Sequence, residues 1–224
     1  MVHQSPIAPG LSWYEATVGD RPIYPQLDGD RKADICIIGG GFTGLSAAAE
    51  AAKLGASVVL LEGSRLGDGA SGRNGGQLNT GQRSWATDHA KTLGLERARA
   101  LFDLAEEAKA HLLGFAQENG IDIDYVAGHY SAAHKRSYLS EYEAYAEQIA
   151  NDFNYPHVTY LDAKTLAERI GSTRYFGGNF DSHTGHIHPR VFKDGHAALS
   201  RNFRSADNEF QRVNMTCVAI KVPT

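Results

Sequence analysis

The 224 residues suffice for one sizeable domain or two small ones with a true core. At 42% hydrophobic and 21% charged residues, the composition is that of a folded globular chain and excludes wholesale disorder. The 22 Lys and Arg against 26 Asp and Glu give a net charge of -4, which argues against a dedicated nucleic-acid binder with its basic face.

Residues 1–33 carry Pro6, Pro9, Pro22 and Pro25 among Gly10, Gly19 and Gly29, and read as an extended arm with one short turn around Trp13-Tyr14-Glu15. Ala33-Asp34-Ile35-Cys36-Ile37-Ile38 then forms a short apolar run, expected as a strand buried on both faces with Cys36 as a small buried hydrophobe. Leu45 to Leu54 is alanine-rich and favours helix, with Gly55 placed to cap its C-terminus. Ser57-Val58-Val59-Leu60-Leu61-Glu62 is a second buried strand, which completes one βαβ unit. Glycines 67, 69, 72, 75 and 76 then fall within the aperiodic stretch from Gly63 to Gly81, a length that points to function.

Residues 96–119 predict a long helix with Leu101, Leu104, Ala105, Ala108, Leu112 and Phe115 on its apolar stripe. Ile121 to Val126 alternates and reads as a strand, and a second helix is expected from about Ser137 to Asp152. Val158 to Leu161 reads as a strand, and Asp162 as the cap of a short helix from Ala163 to Ile170. Residues 171–188 suggest short strands with turns. No run approaches the ~20 apolar residues of a membrane helix. Met1 to Pro6 lacks the basic and apolar regions of a secretory signal, so a cytoplasmic location is the expectation.

Gly39-x-Gly41-x-x-Gly44 sits where a dinucleotide site needs it, between the first strand and the helix. Gly39 permits the tight turn, Gly41 lets backbone approach a pyrophosphate, and Gly44 lets helix and strand pack closely. The helix beginning at about Thr43 aims its N-terminal N–H groups and positive dipole end at that pyrophosphate, with Phe42 and Thr43 counted among the cofactor-binding residues. Glu62 ends the second strand, where a carboxylate accepts hydrogen bonds from ribose hydroxyls and repels a 2′-phosphate. The fingerprint alone leaves NAD and FAD both open.

Three segments together resemble the FAD-dependent D-amino-acid oxidase superfamily: Ile37 to Ala47, Val59 to Glu62, and Gly69-Ala70-Ser71-Gly72-Arg73-Asn74-Gly75-Gly76-Gln77. Within it the chain is most similar to the glycine/sarcosine oxidase and gamma-glutamylputrescine oxidoreductase branch, which Ser12 to Thr17 also resembles. The resemblance implies an α/β fold: a Rossmann-like FAD-binding βαβ domain over 34–84, then a helical segment and partial α+β substrate domain over 85–189. It implies oxidation of the C–N bond of an amine or amino acid, with hydride passing to the flavin and oxygen reduced to hydrogen peroxide. The second glycine loop, with Ser71, Arg73, Asn74, Gly75 and Gly76, is implied to run beside the pyrophosphate and flavin ring. Arg73 reads equally as a solvated loop arginine. The loop contains no cysteine, so the FAD is expected to be non-covalent.

His183-x-x-His186-x-His188 invites a metal reading, but the spacing is not helical and only Asp181 stands nearby, so no metal is expected. On the family's pattern His186 or His188 lines the substrate side of the flavin, and a plain structural role for either stands open beside that. The resemblance stops near Pro189, and residues 190–224 read as a divergent tail with no strand spacing before Val218-Ala219-Ile220. A truncation or frame change is the expected cause. The expected partners are a small amine or amino acid, neither nucleic acid nor membrane, and a second copy associating through an incomplete sheet. A nucleotide-binding remnant without turnover and an NAD-dependent dehydrogenase are the alternatives.

Overall fold

A computed structural model of the chain describes residues 12–18, 21, 24, 27, 29–189, 211–213 and 215–220. These divide into two units. Unit 1 draws on 1–76, 116–123 and 188–224, and unit 2 on 77–115 and 124–187.

In unit 1, helix α1 (Trp13–Thr17) gives the expected turn in the arm, capped where the Ser12 hydroxyl accepts from the Glu15 amide. Strand β1 (Ile35–Ile38) pairs in parallel with β2 (Val58–Glu62), Ile35 opposite Val58 through Ile38 opposite Leu61. Between them runs α2 (Phe42–Lys53), and Gly55 follows its end at φ +88°. The α2 alanines permit close packing on the sheet. Leu45, Ala48 and Ala52 join Val58, Leu60, Leu66 and Tyr24 in one buried cluster. Two further strands, named β7 (Gln211–Val213) and β8 (Met215–Ile220) for their place in the chain, complete the sheet in the order β1-β2-β8-β7. Both are added antiparallel, so the sheet is mixed, and β8 contains the Val218-Ala219-Ile220 run.

The double-sided burial expected of the first strand is corrected. Ile35 is 40% and Ile38 73% exposed, and Cys36 is exposed rather than buried. The reason is topological: among the described residues β1 is the sheet's edge and pairs with β2 alone. The second strand, with neighbours on both sides, does bury Val58, Val59 and Leu60.

Unit 2 is built on a sheet with β6 (Gly177–His186) at its centre. Strand β4 (Val126–Ala132) lies antiparallel along one side of it, and β3 (Gln77–Leu78) and β5 (Val158–Asp162) share the other. The ten-residue β6 replaces the short strands and turns expected over 171–188. Its glycines signal turns in sequence but serve close strand approach here. A Cβ on Gly178 would lie 2.1 Å from the Ser131 carbonyl oxygen, and one on Gly185 2.5 Å from that of Val126. The strand expected from Ile121 begins only at Val126, because Asp124 adopts φ +51° and interrupts the extended backbone.

Helices α3 (Ala86–Leu93), α4 (Leu95–Glu118), α5 (Leu139–Phe153) and α6 (Ala163–Ile170) complete the described elements. Of these only α3 has no counterpart in the sequence reading. Asp162 caps α6 as expected, its carboxylate accepting from the Thr165 amide at 2.8 Å. The stripe on α4 is met in part: Phe115 is buried as expected, but Leu104 is 59% exposed, whereas Ala98, Phe102, Lys109 and Ala116, outside the expected stripe, are buried. Phe102 packs with Phe153 and Tyr155, and Lys109 is admitted because Glu106 pairs with it at 2.7 Å.

Candidate dinucleotide-binding site

The site is assembled in unit 1 from the end of β1, the start of α2, the end of β2 and the second glycine loop. Gly39 leaves β1 at φ +104°, a region L side chains rarely adopt, while its amide still donates to the Leu61 carbonyl at 2.7 Å. Gly44 sits one helical turn on, where a Cβ would lie 1.9 Å from the Gly39 carbonyl oxygen. Both glycine positions are therefore required by backbone geometry.

Gly41 is the N-cap of α2 and has no side chain to cap it. The Ser71 hydroxyl does so instead, accepting from the Phe42 amide at 2.9 Å. A Cβ on Gly41 would lie 2.8 Å from that same hydroxyl oxygen. The first helix bond runs from the Leu45 amide to the Gly41 carbonyl, so the Thr43 and Gly44 amides precede it in the opening turn. Thr43 is exposed.

Glu62 ends β2 with both carboxylate oxygens turned to backbone. One accepts from the Gly40 amide at 2.7 Å, the other from the Ser64 amide at 3.0 Å. Each oxygen keeps a further acceptor position. The second loop is tied to the first where the Gly67 amide donates to the Gly40 carbonyl at 2.9 Å. Within that loop Asn74 acts as a brace. Its amide nitrogen donates to the Ala70 and Ser71 carbonyls at 3.1 and 3.0 Å, and its oxygen accepts from the Gly76 amide at 2.8 Å. Arg73 donates from Nε to the Asp68 carbonyl at 2.7 Å, and Gly75 beside it is exposed.

Sequence reading missed the residues that fasten the arm to this loop. Arg21, its side chain 5% exposed, reaches Asp68 at 2.7 Å and Glu15 of α1 at 3.3 Å. Arg65 bridges the same two carboxylates, Glu15 at 2.9 Å and Asp68 at 3.2 Å. Partial burial works to raise the Asp68 carboxyl, but the Arg21 hydrogen bond and charge, with Arg65 and Ser64, outweigh it and hold the group below its ordinary range. Four charges scattered over 15–68 leave no local pattern, so no signal in the sequence could have found them.

The histidines go to separate places. His183 stacks on His157 with ring centroids 3.8 Å apart, and His186 is exposed at the end of β6. His188 is buried, with Nε2 2.9 Å from the Thr17 hydroxyl and its ring edge-on to Tyr14. Among the described residues no group of three or more His, Cys, Asp or Glu is placed to hold a metal ion, and no helix is long and apolar enough to cross a membrane.

The donor set fits a dinucleotide. The opening turn of a 12-residue helix presents amides suited to an anion, glycines leave room for close approach, and a strand-end carboxylate is an acceptor suited to hydroxyl donors. Comparison with known proteins agrees. The profile of the family described as FAD-dependent oxidoreductases matches residues 34–202, so the likeness runs past the expected limit at Pro189. Residues 190–210 lie outside the described ones. The chain is 50% identical over 189 residues to the probable oxidoreductase OrdL of Rhizobium meliloti, covering 84% of this chain and 44% of that protein. It is 34% identical over 190 residues to gamma-glutamylputrescine oxidoreductase of Escherichia coli, covering 85% of this chain and 44% of the relative. The chain thus spans under half the length of these curated relatives. Among solved structures, glycine oxidase from Bacillus cereus shares the fold at a TM-score of 0.54 and 22% identity, over 75% of this chain and 44% of that one. L-Amino acid deaminase from Proteus myxofaciens does so at 0.63 and 21%, over 81% of this chain and 39% of that one.

Proposed function

Because the chain belongs to the family of FAD-dependent oxidoreductases, we propose that it holds FAD non-covalently at the Gly39–Gly44 turn and serves in oxidising the C–N bond of a small amine or amino acid. The observation that carries this reading is the Glu62 carboxylate fixed beside the Gly40 amide at the mouth of α2. In this reading the carboxylate is the acceptor for ribose hydroxyls, and the amides at the start of α2 are the donors to the pyrophosphate.

Each residue has a physical task in this reading. The Thr43 and Gly44 amides donate to the pyrophosphate, favoured by the positive end of the α2 dipole. Glu62 accepts from the ribose hydroxyls and disfavours a 2′-phosphate, which argues against a phosphorylated nicotinamide cofactor. Gly41 keeps the helix entry open, Ser71 fixes the first amide, and Asn74 holds the loop from Ala70 to Gly76 in shape. Arg73, anchored through Nε, offers its remaining N–H groups to phosphate or flavin. Bound FAD supplies the hydride acceptor for the substrate carbon. The substrate loses two electrons and two protons to become an imine, water releases the amine from the carbonyl product, and oxygen is reduced to hydrogen peroxide. His186 and His188 are the histidines proposed nearest the substrate side, and His188 would act from its fixed position against Thr17 and Tyr14.

The test is the absorption spectrum of the purified chain after supplementation with FAD, followed by peroxide release over a panel of amines and amino acids. Flavin bands that stay in the supernatant after acid precipitation of the protein support non-covalent binding. A colourless protein that takes up no FAD overturns the cofactor assignment, and flavin without peroxide from any substrate reduces the function to nucleotide binding.

A further inference from the structure

The N-terminal arm meets the second glycine loop through a cluster of four charges to which the dinucleotide reading gives no task. At its centre is Asp68, which sits between Gly67, at φ +69°, and Gly69. Glycines on both sides leave the backbone there unusually free, so a tie at Asp68 has much freedom to remove. Three side chains converge on its carboxylate: Arg21 at 2.7 Å, the Ser64 hydroxyl at 3.0 Å and Arg65 at 3.2 Å. Its carbonyl is the acceptor on which Arg73 is anchored.

Arg21 reaches further than the carboxylate. It donates through Nη2 to the Leu66 carbonyl, and through Nη1 to Asp68 and to Glu15 of α1. Leu66 belongs to the buried cluster with Leu60 and Tyr24, and a Cβ on Gly40 would lie 2.2 Å from one of its methyl groups. The next amide, that of Gly67, donates to the Gly40 carbonyl at 2.9 Å. Arg21 therefore holds the residues on either side of the one that touches the glycine turn. At its other end α1 is pinned by His188, which meets the Thr17 hydroxyl and the Tyr14 ring. The arm is thus a strap fixed at His188 and at Asp68. A buried ion pair adds little net stability over apolar side chains of the same volume, and setting a register is the use that suits it.

We propose that Arg21 is a positioning residue for the dinucleotide: by clamping Leu66 and Asp68 it fixes the second glycine loop against the Gly40 peptide, and the arm so sets the affinity for FAD. The inference rests on the proposed cofactor and deepens it, since Arg21 acts through Leu66, Gly67 and Asp68. The loop carries two groups that the cofactor reading uses, Ser71 at the Phe42 amide and Arg73 on the Asp68 carbonyl. Releasing Asp68 frees the anchor of Arg73 and loosens the chain that leads to Ser71. Such coupling is reciprocal: a strap that tightens FAD binding must itself be tightened when FAD is bound.

The experiment has two parts, both on the full chain. In the first, FAD is titrated into the parent, Arg21→Met and the control Lys53→Met by flavin fluorescence, with folding checked by circular dichroism. Arg21→Met is expected to weaken FAD by about tenfold, within the range of such couplings. Lys53→Met removes a more exposed cation at the end of α2 and should leave the affinity unchanged. In the second part, hydrogen exchange is followed at the Glu15 and Ala16 amides, both bonded to Ser12, with and without FAD. Slower exchange with FAD is expected in the parent and is lost in Arg21→Met, a link that a merely structural Arg21 would not make. A folded Arg21→Met that binds FAD within about twofold of the parent overturns the proposal. So does equal weakening by Lys53→Met, or a parent whose arm amides ignore bound FAD. The exchange measurement on the parent needs no substitution, so it decides where Arg21→Met does not fold. A parent that takes up no FAD removes the cofactor reading and this proposal together, whereas FAD uptake without these effects removes this proposal alone.

Discussion

The glycine turn and the charge cluster of the arm are two ways of fixing polar groups in the same unit. The first is made almost wholly of backbone: the Gly39 and Gly40 amides, the opening turn of α2 and a loop braced by Asn74. Its side chains, Ser71 and Glu62, mainly hold backbone in place. The second is made of side chains drawn from Glu15 to Asp68, Arg21 and Arg65 among them. A backbone site must spend contiguous residues, because a tight turn and a helix start are local events. A side-chain cluster can take its members from wherever the fold brings them near. The comparison can be broken by asking whether the turn fails through geometry and the cluster through charge, with a packing defect in unit 2 as the yardstick.

The largest effect is expected from Ile149→Ala, which empties a fully buried position in the core of unit 2. A loss of about 3 kcal/mol in urea unfolding is expected, since cavity and transfer terms add. Next comes Gly44→Ala, whose methyl would meet the Gly39 carbonyl oxygen at 1.9 Å, backbone against backbone. It should cost about 2 kcal/mol and abolish FAD retention on gel filtration, whereas retention despite the substitution would mean the turn is not the site.

Ser71→Ala removes the group that caps α2 from another loop. About 1 kcal/mol of stability should go with it, read by chemical denaturation. A smaller and pH-dependent effect is expected at Asp68, whose folded carboxyl lies below its ordinary range. The unfolded state then binds the proton more readily, so the stabilisation is complete above the unfolded value near 3.9 and is lost as pH falls through the lower folded value. The parent should therefore exceed Asp68→Asn in melting temperature at pH 7, with the gap closing near pH 3. A gap that widens with acid would contradict the sign. Ile38→Lys, at a 73% exposed edge position, should change stability by no more than about 0.5 kcal/mol. If copies associate through β1, it should also shift sedimentation towards the monomer.

Legibility in the sequence followed the same divide. The βαβ unit, the tight positions of Gly39 and Gly44 and the Asp162 cap were readable because short apolar runs, turns and helix starts are enforced locally. The α4 stripe was misread in part: Leu104 is more hydrophobic than Lys109, yet only the packing of Phe102 on Phe153 and the Glu106 pairing decide which face is inside. The burial of β1 was misread for a related reason. An apolar run reports the preference of its side chains, and the number of neighbouring strands is a property of the sheet.

By itself, then, the sequence determined the parts that local stereochemistry enforces. Glycine at 39 and 44 is the residue type that meets a positive φ and a carbonyl contact, and only together with the second strand and the second glycine loop did this turn point to the family. Tertiary structure alone decided what long-range pairing enforces. It fastened the arm to the second loop through Arg21 and Asp68, and it packed Phe102 of α4 on Phe153 and Tyr155. The physical reason is range: a turn closes over a few residues, while a salt bridge or a core contact closes over whatever the fold brings near.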